Sequence, residues 1–207
     1  KTFSDLEKAY IVTALGKIGD PSALKTIDWV LSRKWTLARR SAMIAMGQIL
    51  PQTDAATQLT YVQKLKAVMK RDSDQTSRNF GLISLGRIAG KADCSDKVRD
   101  ECVRILKDQF KQGGKTTERP FAALALGLAG FGSDKDKDLR YDLAQPIRGE
   151  LQKLKGDKVA LGAQAIALGM LGDTGKPTVD LLIKMLKDRG LDKKLRGSAA
   201  VALGLIN

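Results

Sequence analysis

The sequence RPFAALALGLAGFGSDKDKD, residues 119–138, decides the fold of this protein. Residues 121–132 are almost entirely apolar or glycine, although the whole chain carries a formal charge of +13. Three interpretations compete for this stretch. It is a membrane segment, a phosphate-binding loop with glycines at 127, 130 and 132, or part of a hydrophobic core. Each predicts a different kind of protein.

The first two interpretations fail on sequence grounds. A helix that spans a bilayer needs about 20 apolar residues, and this run is shorter. A phosphate loop needs a strand, a glycine turn and a helix N-terminus, usually with a Lys-Ser or Lys-Thr signature. No such signature follows Gly127. We therefore predict no membrane span and no nucleotide loop here.

The same pattern recurs six times along the chain. Aligned on one glycine, the copies are YIVTALGKIG, SAMIAMGQIL, FGLISLGRIA, FAALALGLAG, AQAIALGMLG and SAAVALGLIN. We number repeat positions from that glycine, which is residue 16, 47, 86, 127, 169 and 204. Position −1 is Leu or Met, position −2 is Ala or Ser, position +2 is apolar, and position −8 is mostly Arg. This agreement indicates an internal repeat.

Each repeat is predicted to be a helical hairpin. The glycines lie 31 to 42 residues apart, a period typical of two helices per repeat. Between them lie amphipathic segments with helical spacing, as in Leu59, Val62, Leu65 and Met69. We call these the first helices and the glycine-bearing segments the second helices. One second helix followed by five hairpins gives about eleven helices, and Pro146 predicts a kink or split in one first helix.

The second-helix motif R-x-x-A-x-x-A-L-G-x-I and Gly19-Asp20-Pro21 at a hairpin junction resemble HEAT repeats, particularly the bacterial type grouped with phycobilisome-lyase HEAT-like repeats. Repeat five departs from the motif at Leu161. The resemblance implies an all-α fold, an α-α superhelix forming a right-handed solenoid of HEAT-like hairpins. It covers residues 1–207 as a single repeat domain. Neither end carries a polar capping repeat, so we expect a fragment of a longer array.

The chain offers little for catalysis or metal binding. It has no histidine, which excludes Ser-His and Cys-His nucleophile pairs and His-based zinc sites. Cys102 lies on an apolar stripe and is expected to be a buried thiol, while a disulfide requires Cys94 to fold back from the preceding loop. Asp134, Asp136 and Asp138 alternate with lysines as a solvated linker is expected to. We predict no enzyme, no catalytic residue, no cofactor and no metal.

A row of arginines occupies position −8. Its members are Arg39, Arg78, Arg119 and Arg196. We interpret the row as structural, because a residue that defines a repeat usually serves packing. Each arginine is expected to bond helix-end carbonyls or an acidic residue of the adjacent repeat. The alternative is an electropositive strip for phosphates or acidic peptides.

Partner-binding residues are expected on the second helices, which line the concave face in the HEAT-like solenoids that this chain resembles. Positions −11 and −7 are taken to point away from the core, and position +1 is taken to lie at the edge of that face. The apolar −3 row is expected to be buried between repeats. The candidates are Lys17, Arg40, Gln48, Gln75, Asn79, Arg87, Lys158 and Lys193. Trp29 is expected in the core. Trp35 is expected to pack in an inter-helix turn, with stacking on a partner as the alternative.

These observations predict a non-enzymatic scaffold that binds a protein partner through its concave face. The alternative is nucleic-acid binding through a basic concave groove, which the excess of 36 Lys and Arg over 23 Asp and Glu permits. A third function, bilin-lyase-like chromophore handling, follows only from the family resemblance.

Overall fold

The computed structural model describes residues 2–112, 118–131 and 137–206, and in these ranges the chain is helical without any strand. The expectations for Gly132, Asp134 and Asp136 lie outside the described residues. The helices are α1 (Asp5–Ile18), α2 (Leu24–Leu31), α3 (Thr36–Ile49), α4 (Ala55–Arg71), α5 (Gln75–Ala89), α6 (Asp96–Gln112), α7 (Glu118–Phe131), α8 (Lys137–Leu151), α9 (Lys158–Leu171), α10 (Lys176–Lys187) and α11 (Lys193–Leu205).

This order confirms the predicted repeat. The second helices are α1, α3, α5, α7, α9 and α11, and the first helices are α2, α4, α6, α8 and α10. One short 3-10 turn, Pro21–Ala23, precedes α2, and another, Leu50–Gln52, follows α3. The Asp20 carboxylate caps the turn at Pro21 by accepting a hydrogen bond from the Ser22 N–H at 2.8 Å. The residues 119–131 that opened the sequence analysis therefore belong to a second helix, α7.

Four second helices, α1, α5, α9 and α11, begin at a capping side chain in repeat position −12. Ser4 forms a capping box with Glu7 at the start of α1. Asp74, Asp157 and Asp192 accept hydrogen bonds from the first backbone N–H groups of α5, α9 and α11. Each cap satisfies a donor that has no partner within its own helix, so the recurring side chain fixes where the second helix starts.

Pro146 lies inside α8, which continues as one helix on both sides of it. The split that the sequence allowed does not occur. Leu143, Ala144 and Ile147 around the proline are fully buried. Their packing stabilises the helical backbone more than the missing N–H of proline destabilises it.

Cys94 and Cys102 are both buried and free. Cys102 is fully buried in α6, as its apolar stripe predicted. Burial raises the pKa of both thiols, because a thiolate loses its hydration in the core. Both side chains therefore pack as small neutral groups.

The chain forms two compact units, residues 1–105 and 106–207, and each is described by itself. In the first unit α1, α3 and α5 lie side by side, and α2 and α4 pack against their hairpin partners α3 and α5. In the second unit α7, α9 and α11 lie side by side. Helix α8 packs against both α7 and α9, and α10 packs against α11. Second helices thus form the common layer of each unit.

Neighbouring second helices meet at the repeat glycine. The glycine of one repeat faces position −2 of the next: Gly16 faces Ala45, Gly47 faces Ser84, Gly127 faces Ala167, and Gly169 faces Ala202. The small residue at position −2 therefore lies against the neighbouring second helix and not against the hairpin partner. Small residues on both sides let successive second helices approach at backbone distance.

Ser84 is the one polar residue at position −2, and its hydroxyl is satisfied. Its Oγ donates a hydrogen bond to the Met43 carbonyl oxygen at 2.6 Å across the same helix contact. Because both groups are buried, an unpaired hydroxyl there would destabilise the fold. The close approach thus tolerates a small hydroxyl as well as a methyl group.

Gly169→Ala is expected to destabilise the second unit. The added Cβ would lie 2.6 Å from Cα of Ala202 and 2.7 Å from its carbonyl oxygen, which are backbone atoms that cannot rotate away. Overpacking of this kind typically costs about 1–3 kcal/mol. The measurement is urea unfolding followed by circular dichroism.

Gly204→Ala is the matched control, because a Cβ there meets no atom within 4 Å. Alanine favours a helix over glycine by up to about 1 kcal/mol, so stability should stay level or rise slightly. If the two variants lost equal stability, the close glycine contact would not be what holds the second helices together.

Candidate functional site

One face of the second helices stays open to solvent in both units. It contains repeat positions −3 and +1, which lie four residues apart and therefore on the same side of a helix. We call it the second-helix face. In the first unit it presents Thr13, Lys17, Ile44, Gln48, Ile83 and Arg87, and in the second unit Leu124, Leu128, Ile166, Met170, Val201 and Leu205.

The exposure of position −3 corrects the sequence analysis, which expected this row to be buried between repeats. Ile44, Ile83, Leu124 and Ile166 are half-buried, and Val201 is 53% exposed. The glycine and position −2 contact the neighbouring second helices, which leaves position −3 between these contacts on an open side. Apolar residues on this row are therefore available to a ligand.

The first unit brings three of the predicted binding residues together. Lys17, Gln48 and Arg87, the +1 residues of α1, α3 and α5, line a groove of about 630 Å³ together with Gln52. Among the described residues that line this groove, none is acidic. The second-helix face of the first unit is therefore polar and basic at this end.

The second unit has an apolar groove on its second-helix face. It measures about 800 Å³ and runs over α7, α9 and α11. Its apolar lining includes Leu124, Val159, Ala163, Ile166 and Leu195. Four charged side chains, those of Asp157, Lys158, Asp192 and Lys194, also line it. An apolar cleft with a charged rim can bury apolar side chains of a ligand while polar groups set its orientation.

Positions −7 and −11 were expected on the open face, but both are directed mainly toward the next repeat, and among the predicted candidates at these positions only Lys158 lines a described groove, that of the second unit. Seven and eleven residues are close to two and three full helical turns, so these positions lie on the same side as the glycine. That side contacts the next repeat. Arg40 at −7 accordingly binds Asp74, its Nε donating to Oδ2 at 2.9 Å and its Nη2 to Oδ1 at 2.8 Å.

The Arg40–Asp74 pair ties one repeat to the cap of the next. Hydrogen bonds from Arg40, and then from Ser77, hold the pKa of the Asp74 carboxyl well below its usual range, although partial burial acts in the opposite direction. The same pairing raises the pKa of Arg40. Both groups are therefore charged at neutral pH, and Arg40 is committed to a contact within the protein.

The other candidates at these positions differ from one another. Asn79 at −7 is only 6% exposed, and its amide oxygen has no hydrogen-bond partner among the described residues. Lys158 at −11 donates to Asp192, the cap of the next second helix, at 3.2 Å. Gln75 is half-buried and Lys193 is exposed. None of these four lines the groove of the first unit, whereas Lys158 lines the groove of the second.

The arginines of the first unit's −8 row bond protein groups. Nη1 of Arg39 donates to the Arg33 carbonyl oxygen at 3.0 Å, and its Nη2 donates to Asp72 at 2.9 Å. Arg78 donates through Nη1 to the Asp72 carbonyl oxygen at 2.7 Å. Each arginine therefore holds the segment that joins the first helix to the second.

The second unit repeats part of this arrangement. Arg119 donates to the Lys111 carbonyl oxygen at 3.5 Å and lies 3.8 Å from a Glu150 carboxylate oxygen. Arg196 is half-buried, and its Nε has no hydrogen-bond partner among the residues that the structure describes.

Helix α3 has Trp35 where other second helices have a capping side chain, and the residue that caps it instead was not predicted from the sequence. Position −12 of this repeat is Trp35, whose side chain makes no cap hydrogen bond. Asp5 of α1 accepts hydrogen bonds instead from the backbone N–H groups of Leu37 and Ala38, both at 3.0 Å. The missing Asp at position −12 was the available signal, but sequence alone could not say which carboxylate takes its place.

The sequence predicted Trp29 in the core, but Trp29 lies at the surface. It is 48% exposed, and its ring meets Trp35 edge to face with the centroids 5.1 Å apart. The Arg33 guanidinium lies 4.5 Å from the Trp29 centroid, and the Lys8 ammonium lies 4.3 Å from the Trp35 centroid. Ile27 and Val30 fill the core of α2 without Trp29. The tryptophans and two cations thus form one surface cluster.

The described ranges contain neither a cluster of metal-ligating side chains nor a membrane-spanning helix. There, no three His, Cys, Asp or Glu side chains are grouped so that they could hold a metal ion. No helix in the same ranges combines the length and apolarity needed to cross a bilayer.

The fold is similar to that of a solved helical-repeat protein. A designed armadillo repeat protein superposes with a TM-score of 0.53 at 12% sequence identity, covering 96% of this chain and 93% of that one. The likeness assigns this chain to the helical-repeat solenoid fold class. No protein-family model matches the chain, and no curated protein matches it either.

Asp74→Asn should lower the free energy of unfolding at neutral pH and have a smaller effect on it at acidic pH. Because the folded protein lowers the pKa of Asp74, the contribution of its carboxylate is present above the unfolded pKa of about 4. This stabilising contribution is lost as pH falls through the pKa that Asp74 has in the folded protein. We expect the variant to be about 1 kcal/mol less stable at pH 7, and this difference to shrink progressively below pH ~4. Urea unfolding at a series of pH values measures it.

Asp157→Asn provides the comparison, since Asp157 caps α9 without a described ion pair. Asparagine is also a good cap, so this change should alter stability little. A pH-independent loss for Asp74→Asn would mean that its charge does not stabilise the helix junction.

Proposed function

We propose that this protein is a non-enzymatic scaffold of HEAT-repeat type that binds a protein partner through its second-helix face. The observation that carries the proposal is the apolar groove of the second unit. Leu124, Val159 and Ile166 are apolar side chains left on the open side of helices whose other sides are packed.

The groove suits a peptide or a partner helix. Its volume of about 800 Å³ falls in the range of sites that enclose several side chains. Aliphatic residues from three successive second helices would bury apolar anchors, and such anchors supply most of the binding energy in protein interfaces. Lys158 and Lys194 at the rim would then orient polar groups of the partner.

Nucleic-acid binding is less well supported. Arg39 and Arg40 are bound to Asp72 and Asp74, so these two cations are compensated inside the protein. A nucleic-acid groove needs a run of cations that are free to meet successive phosphates. The apolar lining in the second unit also offers phosphates no partner.

A selection from a displayed random-peptide library against the whole immobilised chain tests the proposal. We expect the selected peptides to share aliphatic or aromatic anchors. Val159→Asp should weaken their binding about tenfold, because a carboxylate would be desolvated against the apolar anchor. Ile166→Asp should weaken it at least as much. Fluorescence anisotropy with synthetic peptides measures both.

Val159 is 72% exposed, so its substitution should leave the fold intact, which circular dichroism verifies. The matched control is Leu186→Asp, an exposed apolar position on α10 outside the groove, which should keep full affinity. If peptides bound Val159→Asp and Ile166→Asp as well as the parent chain, the groove would not be the binding site.

A further inference from the structure

We propose that the groove of the first unit recognises an extended acidic peptide segment, with one carboxylate held by Lys17 and a second by Arg87. The inference rests on the proposed function, because it gives the chemistry of the partner, but it concerns a different unit and different residues. The two can therefore fail separately.

Lys17 and Arg87 differ from the other cations of the first unit's second helices. Arg39, Arg40 and Arg78 each donate hydrogen bonds to protein groups. Within the described ranges, the side chains of Lys17 and Arg87 make no hydrogen bond or ion pair, and both residues are exposed. Two uncompensated cations in a groove without an acidic lining residue favour an anionic ligand.

The two neutral amides between the cations favour a peptide. Gln48 and Gln52 line the same groove, and an amide side chain both donates and accepts hydrogen bonds. A peptide backbone offers a matching N–H donor and C=O acceptor at each residue. A phosphate backbone offers acceptors alone, so it would leave the amide oxygens unpaired.

The spacing of the helices sets the spacing of the carboxylates. Lys17 is on α1 and Arg87 on α5, with α3 between them. Packed helices have axes 8–10 Å apart, so the axes of the two helices that carry these cations are about 16–20 Å apart. An extended chain rises about 3.3 Å per residue, which places the two acidic residues about five or six positions apart.

Net charge alone does not produce a preference for one spacing of the two carboxylates. General attraction between a chain of charge +13 and any acidic peptide depends on the number of carboxylates and not on their separation. Two fixed cations with a polar groove between them bind a peptide best when its two carboxylates contact both cations at the same time. The second contact is then intramolecular. Spacing dependence is therefore the distinguishing property.

The experiment uses the full chain and fluorescein-labelled Gly/Ser peptides of about fourteen residues. Each carries two glutamates at separations from two to eight positions, and one peptide carries glutamines instead. Anisotropy at low salt should show the tightest binding at a separation of about five or six. The glutamine peptide should bind about tenfold more weakly than the best glutamate peptide.

Two charge-matched double variants make the test specific. Lys17→Gln with Arg87→Gln should remove the spacing preference and lower the affinity about tenfold. Lys25→Gln with Arg71→Gln removes the same charge from exposed positions of the same unit outside the groove and should preserve both properties.

Three outcomes would overturn the inference. Affinity could be independent of spacing, the two double variants could lose equal affinity, or a thymidine oligonucleotide could bind more tightly than every peptide and lose binding in the groove variant. The last outcome would assign the groove to nucleic acid. None of them alters the result of the library selection, since the substitutions that test it, Val159→Asp and Ile166→Asp, lie in the second unit.

Discussion

The close contact between the repeat glycine and the small residue at position −2 of the next repeat is the constraint on which each unit depends. At Gly47 and Gly169 a single added carbon would lie within 3 Å of backbone atoms of the neighbouring helix. In α3 and α9, which have a second helix on either side, the −1 and +2 side chains are fully buried, as Met46, Ile49, Leu168 and Leu171 show. The glycine therefore sets the distance that makes the rest of the core fit.

The same contact decides which side of a second helix is free to bind. Neighbouring second helices and the hairpin partner occupy most of the circumference, which leaves positions −3 and +1 open. Residues there do not have to fill a core, so their chemistry can differ. The first unit places Lys17, Gln48 and Arg87 on this face, whereas the second unit places Leu124 and Ile166 there. Interaction specificity can therefore change without altering the scaffold.

The pattern of the sequence predicted the helices and their order, because the second-helix motif recurs six times with an amphipathic segment between successive copies. It also named Lys17, Gln48 and Arg87 as binding candidates at the edge of the concave face, and in the structure these three line one groove. It misplaced position −3, because an apolar row is equally compatible with burial and with a ligand groove. It misplaced Arg40 and Asn79, because nearly whole helical turns carry position −7 back to the contact side.

The sequence by itself determined the repeat and the order of the helices in the described ranges, since both are recorded in local spacing. Only the tertiary structure decided which neighbour each face meets. Asp5 caps α3 in place of Trp35, and Asp74 neutralises Arg40, through contacts between residues more than thirty positions apart. Periodicity within one helix carries no information about a partner on another helix. Which cations and apolar side chains remain free for a ligand is therefore known only once the helices are packed.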